Sequence, residues 1–380
     1  LTSDGVTKYS TPFYGGTDSV SNSDGEAGAT FSLVYRVYDG SSTPTTIPNI
    51  LKYHHGVRSK EKSIDMSTSH TEVVSVPSYW VKGLVKNTNT GTNYYKIQHA
   101  IDNASSGNTL HIWAWTYNEN VEVDESITII GNATTNTTLN ATSNGKGFKI
   151  TSDEVTLKNI KVEGCGNTAT YNAYQLVGDD ITIENVIGQT CYKGLSVEGS
   201  GAWIGNSTFT NNYDIGIDVW GTSTSPAKIY NNLISWNGDS GVKITEDDAV
   251  IKSNTINNNT ESGILLDSSD DSIINNNNFE NNKYNVRIHG NSARILVKDN
   301  TLSSSDNINL YISGSGSNNG ILENNTITGG TQGIQVTHSD YYYIGNNTIS
   351  GSSNYNLKFS KTTIGNKGKN NTFSSILLDS

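Results

Sequence analysis

Apolar residues return along this chain in short bursts, never in long runs. From residue 181 the segments ITIENVIG, WIGNSTF, KIYNNLIS, VIKSNTIN, IINNNNFE, ILVKDNTL, ILENNTIT, YIGNNTIS and GKNNTFSS follow one another. An Asn, any residue and then an apolar one recur at Asn185, Asn232, Asn254, Asn277, Asn300, Asn325, Asn347 and Asn371, with Ser207 holding the place between the first two. The steps from 185 are 22, 25, 22, 23, 23, 25, 22 and 24 residues. Strand-length segments on such a period predict a solenoid, in which each turn touches only its neighbours and the stack is stable collectively.

A second column keeps step with the first. Eight or nine residues after each ladder position stands Gly194, Gly216, Gly241, Gly263, Asn285, Asn309, Gly333 or Asn356. An apolar residue follows each: Leu195, Ile217, Val242, Ile264, Val286, Leu310, Ile334 and Leu357. Gly and Asn accept positive φ, so this column predicts a turn of left-handed backbone before a strand. The first column predicts a buried asparagine ladder, with amides hydrogen-bonded along the axis at the ~4.8 Å spacing of stacked strands.

The repeats I-x-x-N-x-I followed by G-I-x-[ILV] resemble those of pectin-lyase-like right-handed parallel β-helix proteins, which are common on archaeal and bacterial surfaces. YYKIQHAIDNASSGNTLHI also resembles the start of that fold. Ile97, Ala100, Ile101 and Ala104 stand at helical spacing and predict a helix capping the core, and ENVEVDESITIIG supplies the next strand pair. The resemblance implies an all-β right-handed parallel β-helix of about 10–12 coils over residues 94–380. It covers about three quarters of the chain and says little about function, because the fold hosts enzymes, adhesins and structural proteins alike.

Residues 1–93 lack the repeat. Residues 1–30 read as an extended Ser-, Gly-, Asp- and Thr-rich arm, and ATFSLVYRVYDG and HTEVVSVPSYWVKGLVK as strands of a β-rich extension serving assembly or capping. His54, His55, His70 and Asp65 lie there without a compact metal-binding motif.

Composition refines this picture. Hydrophobic residues are only 33% of the chain; with so much Gly, Asn, Ser and Thr this would suit disorder, but the strict spacing makes it a thin repetitive core. A net charge of −11 disfavours nucleic acid and anionic membranes as partners, and no apolar run is long enough to span a bilayer. The chain begins at Leu1, as it would after loss of a signal peptide or in a trimmed piece. N-x-S/T sequons begin at Asn103, Asn132, Asn136, Asn140, Asn206, Asn258, Asn324, Asn346 and Asn370, which suits an extracellular glycoprotein. Cys165 and Cys191 are 26 residues apart, close to one coil, so a disulfide between adjacent coils is expected; free buried thiols are the alternative.

Two places carry candidate chemistry. The outward file two residues beyond the second column runs Ser196, Asp218, Lys243, Leu265, Arg287, Tyr311, Gln335, Lys358. Asp218, Lys243 and Arg287, with Glu246, His289, Trp220 and Tyr311, would form a sugar-binding groove; a plain solvated sheet face is the alternative. The resemblance implies that a polysaccharide lyase would use such a Lys or Arg to neutralise a uronate and abstract a proton. The pectate-lyase, pectin-esterase and polygalacturonase motifs of the family are not found. Glu246, Asp247 and Asp248 in one loop and Asp267, Asp270 and Asp271 in the next would attract Ca²⁺, the one cofactor the sequence suggests.

The pattern runs to KNNTFSSILLDS with no amphipathic segment after it, and an open β edge is a template for another chain. Together with the arm this predicts head-to-tail self-association into a cell-surface sheath, surface layer or fibre, similar to secreted β-helix proteins of methanogenic archaea. The alternative is a glycan-binding adhesin or a lyase-type carbohydrate-active protein.

Overall fold

The structure, a computed structural model, describes residues 31–36, 71–76, 85–141, 145–221, 224–360 and 363–374. The arm at 1–30, His54, His55, Asp65, His70 and the last residues, 375–380, lie outside the described residues. Phe31–Arg36 and Thr71–Val76 pair antiparallel as a separate two-stranded sheet.

The rest is a right-handed parallel β-solenoid of about 11 turns with almost no helix. Each coil contributes one short strand to each of three sheets. Sheet 1 runs from Val121–Val123 to Tyr355–Ser360 and holds 11 strands. Sheet 2 runs from Thr109–Ile112 to Lys367–Lys369, and Val85–Asn87 and Asn93–Tyr94 extend its head antiparallel to 14 strands. Sheet 3 runs from Trp115–Tyr117 to Thr372–Phe373 with 12. From residue 174 on, the steps of 21–25 residues reflect three short strands per coil joined by tight corners.

Side chains alternate across each sheet, so every coil sends a few apolar residues inward. Leu195, Ile217, Val242 and Ile264 stack in register from sheet 1; Ile204, Ile229, Ile251 and Ile274 from sheet 2; Phe209, Ile234, Ile256 and Phe279 from sheet 3. All are fully buried, each burial stabilising by roughly 1.5–3 kcal/mol before entropy is counted. The helix Ile97–Asp102 closes the head of this core through Ile97, Ala100 and Ile101. Glu119 fixes it by accepting the N–H groups of Ile97 and Gln98 at 3.0 and 3.1 Å.

The corners correct two sequence readings. Left-handed backbone occurs at the corners, not in the Gly/Asn column before sheet 1. Asn206, Asn231, Ser253, Asn276, Asp299, Asn324, Asn346 and Asn370 turn the chain from sheet 2 to sheet 3, and Asn211, Trp236, Asn258, Asn281 and Ser304 from sheet 3 towards sheet 1. None of Gly194, Gly216, Gly241, Gly263, Asn285, Asn309, Gly333 and Asn356 has positive φ. The glycines answer to space: a Cβ on Gly216 would lie 2.6 Å from the carbonyl oxygen of Gly241, and one on Gly333 2.4 Å from that of Asn356. Asn285 and Asn309 are buried amides bonded to one another, the Asn285 Nδ2 reaching the Asn309 Oδ1 at 2.7 Å.

Asn185 is the second correction. Its φ is 51°, its side chain is exposed, and it pairs in register with Asn206 in the corner file. The buried ladder place in that coil belongs to Val186, whose N–H is bonded by the Ser207 hydroxyl. From Ser207 the ladder runs through Asn232, Asn254, Asn277, Asn300, Asn325 and Asn347 to Asn371. From Asn232 on, each Asn gives its N–H and its Nδ2 to the next Oδ1 at 2.8–3.0 Å.

Candidate functional site

The outward file of sheet 1 keeps the predicted register. Ser196, Asp218, Lys243, Leu265, Arg287, Tyr311, Gln335 and Lys358 stand opposite one another strand by strand, and Glu122, Lys149 and Gln175 extend the file to the head of the solenoid. A second file borders it where the corner from sheet 3 feeds sheet 1. Tyr171, Tyr192, Asp214, Asp239, Glu261 and Tyr284 are joined there by successive backbone hydrogen bonds. The two files form one ribbon along the solenoid axis.

Polar chemistry concentrates where the ribbon passes Asp218. The Asp218 carboxylate, almost fully buried, forms an ion pair with Lys193 at 2.5 Å rather than with Lys243, its neighbour in register. Lys243 has no ion-pair partner among the described residues. Beside this pair, the Asp214 carboxyl is held above the usual carboxylate range. Partial burial is the main cause, and the Asp239 and Asp218 charges add to it; a hydrogen bond from Tyr192 and the charge of Lys193 oppose it. The Tyr192 phenol is pushed up in turn, by desolvation and by Asp214. A carboxyl that keeps its proton to a higher pH, next to a second carboxylate already paired with a cation, is an arrangement suited to proton transfer.

Three coils beyond Asp218, Arg287 lies over the Tyr284 ring at 5.4 Å, and Tyr284 stacks on Tyr311 with centroids 5.6 Å apart. Lys283 pairs with Glu261 at 2.7 Å, and the Asn307 amide donates to the Tyr284 hydroxyl. Arg287 Nε is buried without a hydrogen-bond partner. Three large aromatic rings stand out of the surface around Asp214 and Asp218: Tyr213 is 53% exposed, Trp220 47% and Trp236 61%. Tyr213 and Trp236 flank the side from which the chain enters sheet 1, and Trp220 follows the strand Ile217–Val219 on the far side. The Trp220 indole N–H is anchored to the Ser196 hydroxyl at 3.1 Å. Trp236 occupies left-handed backbone at φ 58°, a costly place for a bulky residue.

The remaining sequence candidates fall elsewhere. Glu246 is buried and accepts the Ala227 N–H, so it belongs to a corner rather than to the groove. His289 is exposed at the far end of the strand from Tyr284, two residues past Arg287 on the same face, and contacts the Ser313 hydroxyl. The acidic loops are stacked as predicted but are occupied with one another and with Arg294. Asp247 accepts the Asp270 N–H at 2.7 Å, Asp270 accepts the Ala293 N–H, and Arg294 pairs with Asp270 at 2.9 Å and Asp271 at 2.6 Å. Asp248 and Asp271 are left-handed corner residues, and Asp267 ends a sheet 1 strand. Among the described residues no group of three or more His, Cys, Asp or Glu is placed to hold a metal. Cys165 and Cys191 are joined in a disulfide between neighbouring coils, with Cα atoms 4.6 Å apart. Of the sequon residues, Asn140 and Asn258 are half-buried and Asn103, Asn132, Asn136, Asn206, Asn324, Asn346 and Asn370 exposed.

Tyr192, Asp214 and Asp239 stand two residues before Gly194, Gly216 and Gly241, and Lys193 opens the strand Lys193–Val197; they escape the sequence reading because their residue types vary from coil to coil, so no repeated letter marks the file. A second buried ladder escapes it too. Asn212, Asn237, Asn259 and Asn282 exchange amide hydrogen bonds at 2.9–3.0 Å, with Cys191 and Cys165 at its head. Its signal is plain once known, since each Asn stands five residues after Ser207, Asn232, Asn254 and Asn277.

A family described as right-handed β-helix region matches residues 146–302. No curated protein matches the chain by sequence. Among solved structures, the A-module of the mannuronan C-5 epimerase AlgE6 of Azotobacter vinelandii is similar over 75% of this chain and 94% of its own, with 14% identity and a TM-score of 0.63. The catalytic unit of the GH87 α-1,3-glucanase of Streptomyces thermodiastaticus is similar over 93% and 89%, with 14% identity and a TM-score of 0.60. The DFA-IIIase of Arthrobacter chlorophenolicus A6 is similar over 68% and 83%, with 13% identity and a TM-score of 0.56. At these identities the likeness is one of architecture: the chain has the right-handed parallel β-helix fold.

Proposed function

We propose that this is a carbohydrate-active protein that lays a polysaccharide along the sheet 1 ribbon and acts on it at Asp214 and Asp218. The observation that carries the reading is the bracket of exposed rings, Tyr213, Trp236 and Trp220, around a carboxyl with a raised pKa and an ion-paired carboxylate. Aromatic faces supply flat apolar platforms for sugar rings, and convergent polar groups fix orientation. Asp214 is the proton donor or acceptor, its proton held mainly by partial burial against the opposing pull of Tyr192 and Lys193, and Lys243 and Arg287 supply positive charge further along. The similar architectures of a mannuronan epimerase and an α-1,3-glucanase, each by name a carbohydrate-active protein, support the same class. An extracellular location belongs to this proposal, supported by the disulfide and the exposed sequons. Head-to-tail assembly into a sheath depends on the arm and on residues 375–380, outside the described residues, so no observation favours it over glycan binding.

The test is a panel of polysaccharides, acidic and neutral, incubated with the full chain and followed by binding and by mass and linkage analysis of the glycan. Retention of at least one glycan, and its loss in Trp220→Ala, is expected. A protein that ignores every glycan, or whose Asp214→Asn variant modifies one at the wild-type rate, removes the reading.

A further inference from the structure

The ribbon is not open at both ends. At the head of the solenoid a cavity of about 440 Å³ opens on the same face, lined among others by Gln98, Asn120, Glu122, Lys146, Lys149 and Tyr171. Its floor is the outward file itself: Glu122 and Lys149 are neighbours in register and form an ion pair at 2.5 Å. Its side is the border file, because the Tyr171 carbonyl accepts the N–H of Tyr192, which leads on to Asp214. Its end wall is the capping helix. Gln98 is pinned there by donating from Nε2 to the Glu122 carbonyl at 3.0 Å and to the Asp102 carboxylate at 2.8 Å, and by accepting the Glu122 N–H on Oε1 at 2.7 Å. Lys146 has no ion-pair partner among the described residues. The floor between the cavity and Asp218 consists of Gln175 and Ser196, both buried beneath the surface of the face.

We infer that this cavity is a chain-end pocket: it seats the terminal sugar of the same polysaccharide and so fixes how many residues separate that end from Asp214 and Asp218. The inference rests on the glycan-binding reading of the ribbon. Lys149, Gln175, Ser196 and Asp218 are consecutive in register, three coil steps, or roughly 14 Å along the axis. An extended pyranose chain rises by about one residue per coil step, so about three sugar residues bridge the pocket and the carboxylates. A volume of this size with several convergent polar groups is that of a small-ligand site. A rigid end wall, held by three hydrogen bonds, stops a polymer from sliding past.

Oligosaccharides of two to eight residues, from mannuronan and from α-1,3-glucan, titrated calorimetrically into the full chain, test this. Affinity is expected to step up by about tenfold at the length that first reaches the pocket, the gain of a few hydrogen bonds and one desolvated ring. Lys146→Ala should remove the step while leaving the shortest binding oligosaccharide unaffected, Tyr171→Ala should remove the step as well, and Lys252→Ala, on the exposed face of sheet 2, should leave it intact. A bulky tag on one terminus of the oligosaccharide should abolish the step and the same tag on the other terminus should not. Oligosaccharides that bind with no step, or with a step indifferent to Lys146 and Tyr171, overturn the pocket and leave the ribbon standing. If no oligosaccharide of either series binds at any length, pocket and ribbon fall together.

Discussion

Asp214 and Trp236 show how far single residues carry the functional reading. The native chain holds the Asp214 proton to a higher pH than the unfolded chain does, mainly because partial burial disfavours the charge. Its contribution to stability is therefore full below the unfolded carboxyl pKa and is lost as pH rises through the raised native value. Asp214→Asn removes an ionised, partly desolvated group, so at pH 7 the variant should melt at or above the wild-type temperature, with the gap closing as pH falls through the carboxylate range. The same substitution should lower glycan turnover by ~10²-fold or more, the usual contribution of a positioned proton-transfer group. Thermal melts across pH beside turnover on the retained glycan check both halves. Trp236 tests binding without chemistry. Left-handed backbone costs a non-Gly residue roughly 1–2 kcal/mol, which Trp236→Gly recovers while adding roughly 0.5–1 kcal/mol of chain entropy. The melting temperature should therefore change little, and glycan affinity should fall about tenfold with the stacking platform gone. Neither residue was legible in the sequence. Asp214 belongs to no motif, and Trp236 looks like any surface aromatic until its corner is known.

Elements were far more legible, because stacking forces one residue type into the same place coil after coil. The outward file from Ser196 to Lys358 was read in register, and so was the ladder from Ser207 to Asn371. The one-residue error at Asn185 arose because adjacent asparagines serve two purposes here. In the pair Asn231–Asn232 the first turns the corner and the second fills the ladder, and in the coil of Asn185 only the first of the two is an Asn. The two roles differ sharply in energy. Asn277 is buried, accepts both the N–H and the Nδ2 of Asn254, and donates to the Ile251 carbonyl and the Asn300 Oδ1. Asn277→Ala orphans several of these groups inside the stack and should cost about 3 kcal/mol or more. Asn185→Ala removes the short polar side chain that tolerates left-handed backbone, with its hydrogen bond to Asn159, in an exposed corner and should cost about 1 kcal/mol. Denaturant titration of the two variants separates the roles; equal losses would return Asn185 to the ladder. The glycine column was misread for a related reason. Gly permits both close approach and positive φ, and the sequence cannot say which of the two the coil uses.

Across the whole molecule the two ladders do not span the same coils, and this sets where the stack is weakest. Between Asn232 and Asn282 both ladders run side by side. Beyond Asn282 the second column continues as Ser305 and Gly330, with Asn285 and Asn309 carrying the amide chain sideways. Towards the head the first column becomes apolar, with Ile160 and Val186 buried in its place, and the second becomes the Cys165–Cys191 disulfide. The sulfur bridge thus stands where the amide ladder is missing, one residue before Tyr192 and two before Lys193. A solenoid couples each coil only to its neighbours, so local losses need not spread. Closing a loop of 26 residues stabilises by about 3.5 kcal/mol in the chain-entropy account, and that contribution belongs to the coils it joins. Mild reduction, or the paired change of Cys165 and Cys191 to Ala, should therefore raise amide hydrogen exchange across residues 146–200 and leave residues 232–300 at their wild-type protection. Glycan turnover should fall in the same material, because the strand that carries Tyr192 and Lys193 loses its anchor while the rest of the ribbon persists. Uniform loss of protection along the chain would mean that the coils open as one cooperative unit. Unchanged protection near the head would mean that apolar stacking of Ile160 and Val186 holds those coils without the bridge.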